Sequence, residues 1–181
     1  MVHNKRWRFV AARLAELGIP YTFHEHEPVG SVAQGRLVRD MLDGLVCKCL
    51  LLKSADGRYW LIAMDSERQL NLKLLAKALG SSRLSFAAAP ELYELLQLTP
   101  GSVSPLAVPF DESRRITVVV EESLLKMDRR MFFHPLVNTA SVGLQAKDLL
   151  RFLENCGHPP LVVSDVSKVA ESAAAAPEPG I

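Results

Sequence analysis

The chain has 181 residues, 49% hydrophobic and 23% charged, a composition that fits one globular domain and excludes a disordered, fibrous or coiled-coil chain. Its 21 Lys and Arg against 20 Asp and Glu leave a formal net charge of +1, so no global field draws it onto DNA, RNA or an anionic membrane. A chain of this length hides roughly two thirds of its unfolded surface and folds without disulfides or a structural metal. The apolar stretch 9–19 is interrupted by Arg13 and Glu16 and has no cleavage site of a secretory leader, and no apolar run approaches the roughly 18 residues of a membrane helix. Three cysteines, Cys47, Cys49 and Cys156, are an odd number without framework spacing and point to a reducing compartment, read here as the cytoplasm.

Trp7, Phe9, Val10, Leu14 and Leu17 recur at helical spacing and predict a helix over 5–17, stopped by Gly18 and Pro20. Residues 21–26 alternate like a strand; Pro28 and Gly30 break the pattern, and Ser31 is placed to cap a helix reaching about Leu42. Residues 45–53 and 58–64 read as two strands joined by Ser54-Ala55-Asp56-Gly57, whose Asp-Gly pair is a hairpin signal. Asn71 caps a predicted helix over 72–79 closed by Gly80, and a shorter helix over 90–97 stops at Thr99-Pro100-Gly101. Strands are expected over 116–120, 131–134, 140–144 and 161–163, with an amphipathic helix over 147–156 closed by Gly157. Helices and strands alternate without a regular βαβ rhythm, so the fold class is α+β, a mixed central sheet surrounded by helices. The domain is expected over 1–165 and a disordered tail over 166–181, which has little to bury.

Candidate chemistry comes from a few residues, because the nucleophile elbow, the phosphate-binding glycine loops and the H-E-x-x-H zinc signature are all absent. Cys47 and Cys49 share a strand face, and with Cys156 and His158 they could complete a zinc set, but the spacing is unlike that of structural sites and buried free thiols are the simpler reading. His24 and His26 share a strand face, either as ligands or as exposed polar side chains. Lys48 stands on a strand face with Val46, Leu50 and Leu52, where an ammonium is costly, so that it either snorkels to the sheet edge or waits for a ligand's phosphate or carbonyl. Gly101-Ser102-Val103-Ser104-Pro105 is a rigid, glycine-opened loop, either a plain connection or one whose backbone approaches a ligand, and the segment 132–139 sets His134 and Asn138 between aromatics and a short strand, where a satisfied core histidine is the default reading.

Together these segments resemble the free-standing prolyl-tRNA editing proteins, relatives of the Cys-tRNA(Pro) deacylases and of the editing domain inserted in bacterial prolyl-tRNA synthetases. The resemblance rests on His26-x-Pro28-Val29, Cys47-Lys48-x-Leu50-Leu51-Leu52-Lys53, Gly57-Arg58-Tyr59-Trp60-Leu61, Leu79-Gly80-x-x-Arg83-Leu84-Ser85-Phe86, Thr99-Pro100-Gly101-Ser102-Val103-Ser104-Pro105 and Phe133-His134-Pro135-Leu136-Val137-Asn138-Thr139-Ala140, in family order. It implies a barrel-like mixed sheet and hydrolysis of the ester joining a wrong amino acid, alanine first, to the terminal adenosine of tRNA(Pro). It implies Lys48 as the catalytic cation, and a substrate pocket built from His26, Cys49, Gly101, Ser102, Val103, Pro105, His134 and Asn138. No cofactor or metal is implied. The implied partners are the aminoacyl-tRNA acceptor end and prolyl-tRNA synthetase, and neither DNA nor a membrane is expected. Lys5, Arg6, Arg8 and Arg13, with Lys126, Arg129 and Arg130, are the cations available to a tRNA backbone. The family pattern carries asparagine where this chain has Cys49, and a proline and an aromatic where it has Glu27 and Gly30. The rival reading is a binding protein of the same fold that recognises aminoacyl-tRNA ends or a small ligand without turnover.

Overall fold

The computed structural model describes residues 4–29, 32–164 and 166–168. Helix α1 (Lys5–Glu16) starts at Asn4, whose side chain accepts from the Arg6 amide at 2.9 Å, and it buries Trp7, Val10 and Leu14. Strand β1 (Thr22–Glu25) and helix α2 (Val32–Met41) follow; the expected cap at Ser31 lies outside the described residues. The hairpin is β2 (Leu45–Ser54) and β3 (Tyr59–Asp65), turning at Gly57 with φ 87° as its Asp-Gly signal requires. Then come β4 (Gln69–Leu70), α3 (Leu72–Ala78) capped by Asn71, β5 (Leu84–Phe86), α4 (Ala89–Leu96) and a 3-10 helix (Pro105–Phe110). The second half holds β6 (Ile116–Glu121), α5 (Glu122–Leu125), β7 (Met131–Phe133), β8 (Ala140–Leu144), α6 (Ala146–Asn155), β9 (Leu161–Val163) and β10 (Ser167–Lys168).

Eight strands form one mixed sheet in the order β1-β8-β7-β2-β3-β6-β9, with β5 as a further partner of β2, while β10 pairs with β4. The α+β architecture expected from the sequence is the one observed. The path is open from β1 to β9, so the core is enclosed by curvature and helices, with no closing ladder among the described residues. Cys47, Leu51, Leu61, Ala63, Val118 and Val120 on one face join Met131, Phe133, Val142 and Leu144 in a single core with α1, α4 and α6. The opposite face of the hairpin, Leu52, Trp60 and Ile62 with Val119, packs beneath Leu75 of α3. Val166 is fully buried and Ser167 and Lys168 pair with Leu70 and Gln69, so the chain keeps contact with the domain into the segment expected as tail; residues 169–181 lie outside the described ones.

β2 is the shared strand. β3 pairs with it from Cys47 to Lys53 on one side; on the other, β7 pairs only at Leu45 and Val46, and β5 only at Leu52 to Ser54. The sheet therefore forks around Cys49, which has no strand partner on that edge among the described residues. Odd-numbered residues turn their main-chain groups toward the fork, as the bonds Leu45 N to Arg130 O and Ala87 N to Leu51 O show.

Two packing details fix the flanks of this fork. Glu91 of α4 accepts from Lys53 Nζ at 2.6 Å, from Tyr59 OH at 2.7 Å and from the Ala88 amide at 2.8 Å. These bonds, Lys53's foremost, hold its carboxyl down at about 2 and tie the start of α4 to the hairpin. On the other side Gly143 faces Phe132 in the β7–β8 ladder, and a Cβ there would lie 2.6 Å from Phe132 Cε1 and 2.6 Å from Thr22 Oγ1, so β1, β7 and β8 close over a position only glycine fits. Below, the buried pair His158 and Asp111, 3.1 Å apart, bolts the end of α6 to the start of β6, where Asp111 also accepts from the Ile116 amide at 2.8 Å.

Candidate functional site

A cleft of about 420 Å³ opens over the fork. Six consecutive residues of β2, Val46 to Leu51, form its floor; α2 supplies Val38 and Arg39, the β5–α4 segment Phe86, Ala87 and Ala89, and the loop after α4 Pro100, Gly101 and Val103, with His134 and Ser141 opposite. No Asp or Glu stands among these lining residues.

Lys48 is half-buried. Its ammonium is met by main-chain oxygens: Nζ donates to Ser66 O at 3.4 Å and, more closely, to Arg68 O. Burial pushes its pKa below that of an ordinary lysine, and the charges of Asp65 and Glu121 oppose that shift. The turn that carries these oxygens is itself strapped, since Arg68 donates to the buried Glu121 at 2.6 Å and Glu67 pairs with Arg39 of the cleft wall. The sequence offered snorkelling or a ligand's oxygen for this ammonium, and the structure supplies neither of these but carbonyls of the protein's own turn.

Cys49 lines the cleft beside it, and burial raises the pKa of both its thiol and that of Cys47, so neither is a ready thiolate. Gly101, at φ 86°, and Val103 line the far wall. Ser102 and Pro105 do not: the Ser102 hydroxyl turns back to donate to Thr99 O at 2.8 Å, and Pro105 is buried at the start of the 3-10 helix, so both shape the loop from behind. Asn138 also stands away from the lining, and its carbonyl accepts from the Val29 amide at 3.4 Å.

His134 follows β7 and lines the cleft with Nδ1 3.2 Å from Ala140 O. Burial lowers its pKa, so the ring is neutral at pH 7. His24 and His26 part company at the end of β1: His24 packs edge-on to Phe132 at 5.6 Å, whereas His26 turns toward Ser141. His26 lines an adjoining hollow with Leu37, Met41 and Val38, and Val38 stands in the wall of both cavities. Ser141 was not singled out from the sequence, where it reads as one more position of a buried strand. Among the candidate cations, Arg13 pairs with Glu16 at 2.9 Å and Lys126 with Glu122 at 3.0 Å, and Arg129 reaches Gly44 O at 3.4 Å, just ahead of β2.

Residues 26–152, which include every lining residue of the cleft from Val29 to Ser141, match the model of the aminoacyl-tRNA editing domain. The chain belongs to the aminoacyl-tRNA editing domain family. It is 35% identical over 150 residues to the prolyl-tRNA editing protein ProX of Acetoanaerobium sticklandii, covering 82% of this chain and 91% of that protein. It is likewise 35% identical over 152 residues to the prolyl-tRNA synthetase associated domain-containing protein 1 of Danio rerio, covering 83% of each. A solved chain described as a candidate trans-editing enzyme for prolyl-tRNA synthetase superposes with a TM-score of 0.69 at 18% identity, over 92% of this chain and 99% of that one, a likeness of fold. In this editing domain, no helix among the described residues is long and apolar enough to cross a membrane.

Proposed function

We propose that the protein is a free-standing deacylase that hydrolyses the ester between a wrong amino acid, alanine first, and the terminal adenosine of tRNA(Pro). The observation that carries this reading is the placement of Lys48 in a cleft with no carboxylate among its described lining residues, beside a strand edge unpaired among the described residues. Water adds to the ester carbonyl carbon, the bond to the ribose oxygen breaks, and that oxygen leaves with a proton. The Lys48 ammonium stabilises the charge that develops on oxygen, work that needs no nucleophilic triad. A synthetase pocket shaped for proline rejects a smaller side chain by only about 1–3 kcal/mol, so a second, smaller pocket completes the selection. Here Gly101, Val103 and His134 would bound the amino acid and the backbone of Cys49 would face it, while Ser102 and Pro105 hold the loop, Asn138 holds Val29, and His26 stands on the nucleotide side. Prolyl-tRNA synthetase is the partner that produces the substrate, and the cytoplasm the place of work.

The rival, a binding protein without turnover, is favoured by one observation: the Lys48 ammonium is already held by Ser66 O and Arg68 O. Incubation of the purified protein with Ala-tRNA(Pro) and Pro-tRNA(Pro) separates the two. The expected result is rapid release of alanine with proline spared; loss of neither ester above the spontaneous rate makes the binding reading the better one.

A further inference from the structure

Ser141, hydrogen-bonded to His26 in the wall of the cleft, has no task in the reaction as described. His26 Nδ1 lies 2.9 Å from Glu27 O, and Nε2 lies 3.0 Å from Ser141 Oγ. A carbonyl oxygen only accepts, so Nδ1 carries the hydrogen; where Nε2 is unprotonated it accepts, and Ser141 donates its hydroxyl hydrogen to it. Ser141 lines the cleft, and with that hydrogen committed it presents only lone pairs there. His134 repeats the pattern one residue away along β8. Its Nδ1 donates to Ala140 O, which leaves Nε2 as an acceptor with no partner among the described residues. The His26 and His134 rings are 6.4 Å apart, so the acceptors they govern form one wall. Lys48, on the floor, can only donate.

We propose that Ser141, held as an obligate acceptor by His26, receives the α-ammonium group of the esterified amino acid, with His134 Nε2 as the second acceptor. The cleft then has a polarity: the ammonium goes to the β8 wall, and the ester and phosphate oxygens go toward Lys48. Among the described residues no carboxylate lines the cleft to compete for the ammonium. Ser141 is a binding residue and His26 a positioning residue. The identity of the ligand rests on the deacylase reading, but recognition of the amine does not require turnover.

The test is calorimetric binding of 3′-alanylamino-3′-deoxyadenosine, whose amide resists hydrolysis, and of its N-acetyl derivative, to the wild type, Ser141→Ala and Ser141→Thr, with Ala-tRNA(Pro) deacylation by the wild type measured alongside. The wild type should prefer the free amine. Ser141→Ala should lose about 10- to 100-fold in affinity for the free amine, the range for a hydrogen bond to a charged group, and keep its affinity for the acetylated form. Ser141→Thr should restore the preference, which a merely structural role would not. Equal weakening of both ligands by Ser141→Ala, no change, or a wild type that binds neither ligand or both alike overturns the proposal. A wild type that deacylates yet binds both alike sinks the amine site alone; one that shows the preference yet releases no alanine sinks the deacylase reading alone.

Discussion

Replacing Lys48 with methionine separates catalysis from architecture, because the thioether keeps most of the stem on the strand face shared with Val46 and Leu50 while removing the charge. The structure sets the stability cost. Lys48 makes one close bond to Arg68 O and a longer one, 3.4 Å, to Ser66 O. A hydrogen bond from a charged group contributes roughly 1.5–3 kcal/mol net, and release of a half-buried ammonium from its desolvation offsets part of that, so a loss of about 1–2 kcal/mol is expected. In a chain of this size that lowers Tm by roughly 2–8 °C. It cannot empty the folded state of a protein stable by about 5–15 kcal/mol, so unfolding would leave activity nearly intact. If the ammonium stabilises charge on the departing oxygen, single-turnover deacylation of Ala-tRNA(Pro) should instead fall about 100- to 1,000-fold, equivalent to roughly 2.7–4 kcal/mol in the barrier. Rate and melting curve are measured on the same preparation. A variant that melts lower but deacylates within about threefold of the wild type would show that Lys48 only straps the turn carrying Ser66 and Arg68, and the catalytic assignment would be refuted.

Gly143→Ala should destabilise by about 1–3 kcal/mol, because its Cβ at 2.6 Å from Phe132 Cε1 must push the ring or part the β1–β8 ladder; an alanine variant that melts with the wild type would mean the ladder yields freely. His134 has a folded pKa below 6.5, so the unfolded chain binds more protons just below that pH, and stability should fall by at most about 1.4 kcal/mol per pH unit from pH 6.5 down to the folded value. His134→Gln should lose that acid-side slope in urea titrations, and an unchanged slope would assign it to other groups.

Much of the framework was legible where a residue had one local job. Asp56-Gly57 marked the hairpin, Asn71 capped its helix, and Gly80 and Gly157 closed theirs with φ of 56° and 77°. Pieces held by distant partners were not legible: β4 and β10 exist only by pairing with each other, and the three residues of β5 only by pairing with β2. The site divides the same way. Lys48, Cys49, Gly101, Val103 and His134 line the cleft, a grouping that came from the family resemblance, whereas residue type alone read Cys49 as a buried thiol. Ser102 and Pro105 sit in the same short loop, but a turn that aims one residue inward aims the next away. Ser141 carried no signal, because its meaning depends on a histidine 115 positions earlier that only the β1–β8 ladder brings near.

The fork in β2 also answers a hazard that sheets carry. An unpaired strand edge is a template for any other extended chain, and proteins blunt such edges to avoid sticking to one another. Here the opening is only a few residues long, with paired strand on either side and α2, Phe86 and the Gly101 loop around it. A foreign strand needs a longer register than that to gain a foothold. So short a gap lets the protein keep open hydrogen-bonding backbone in its cleft without inviting aggregation.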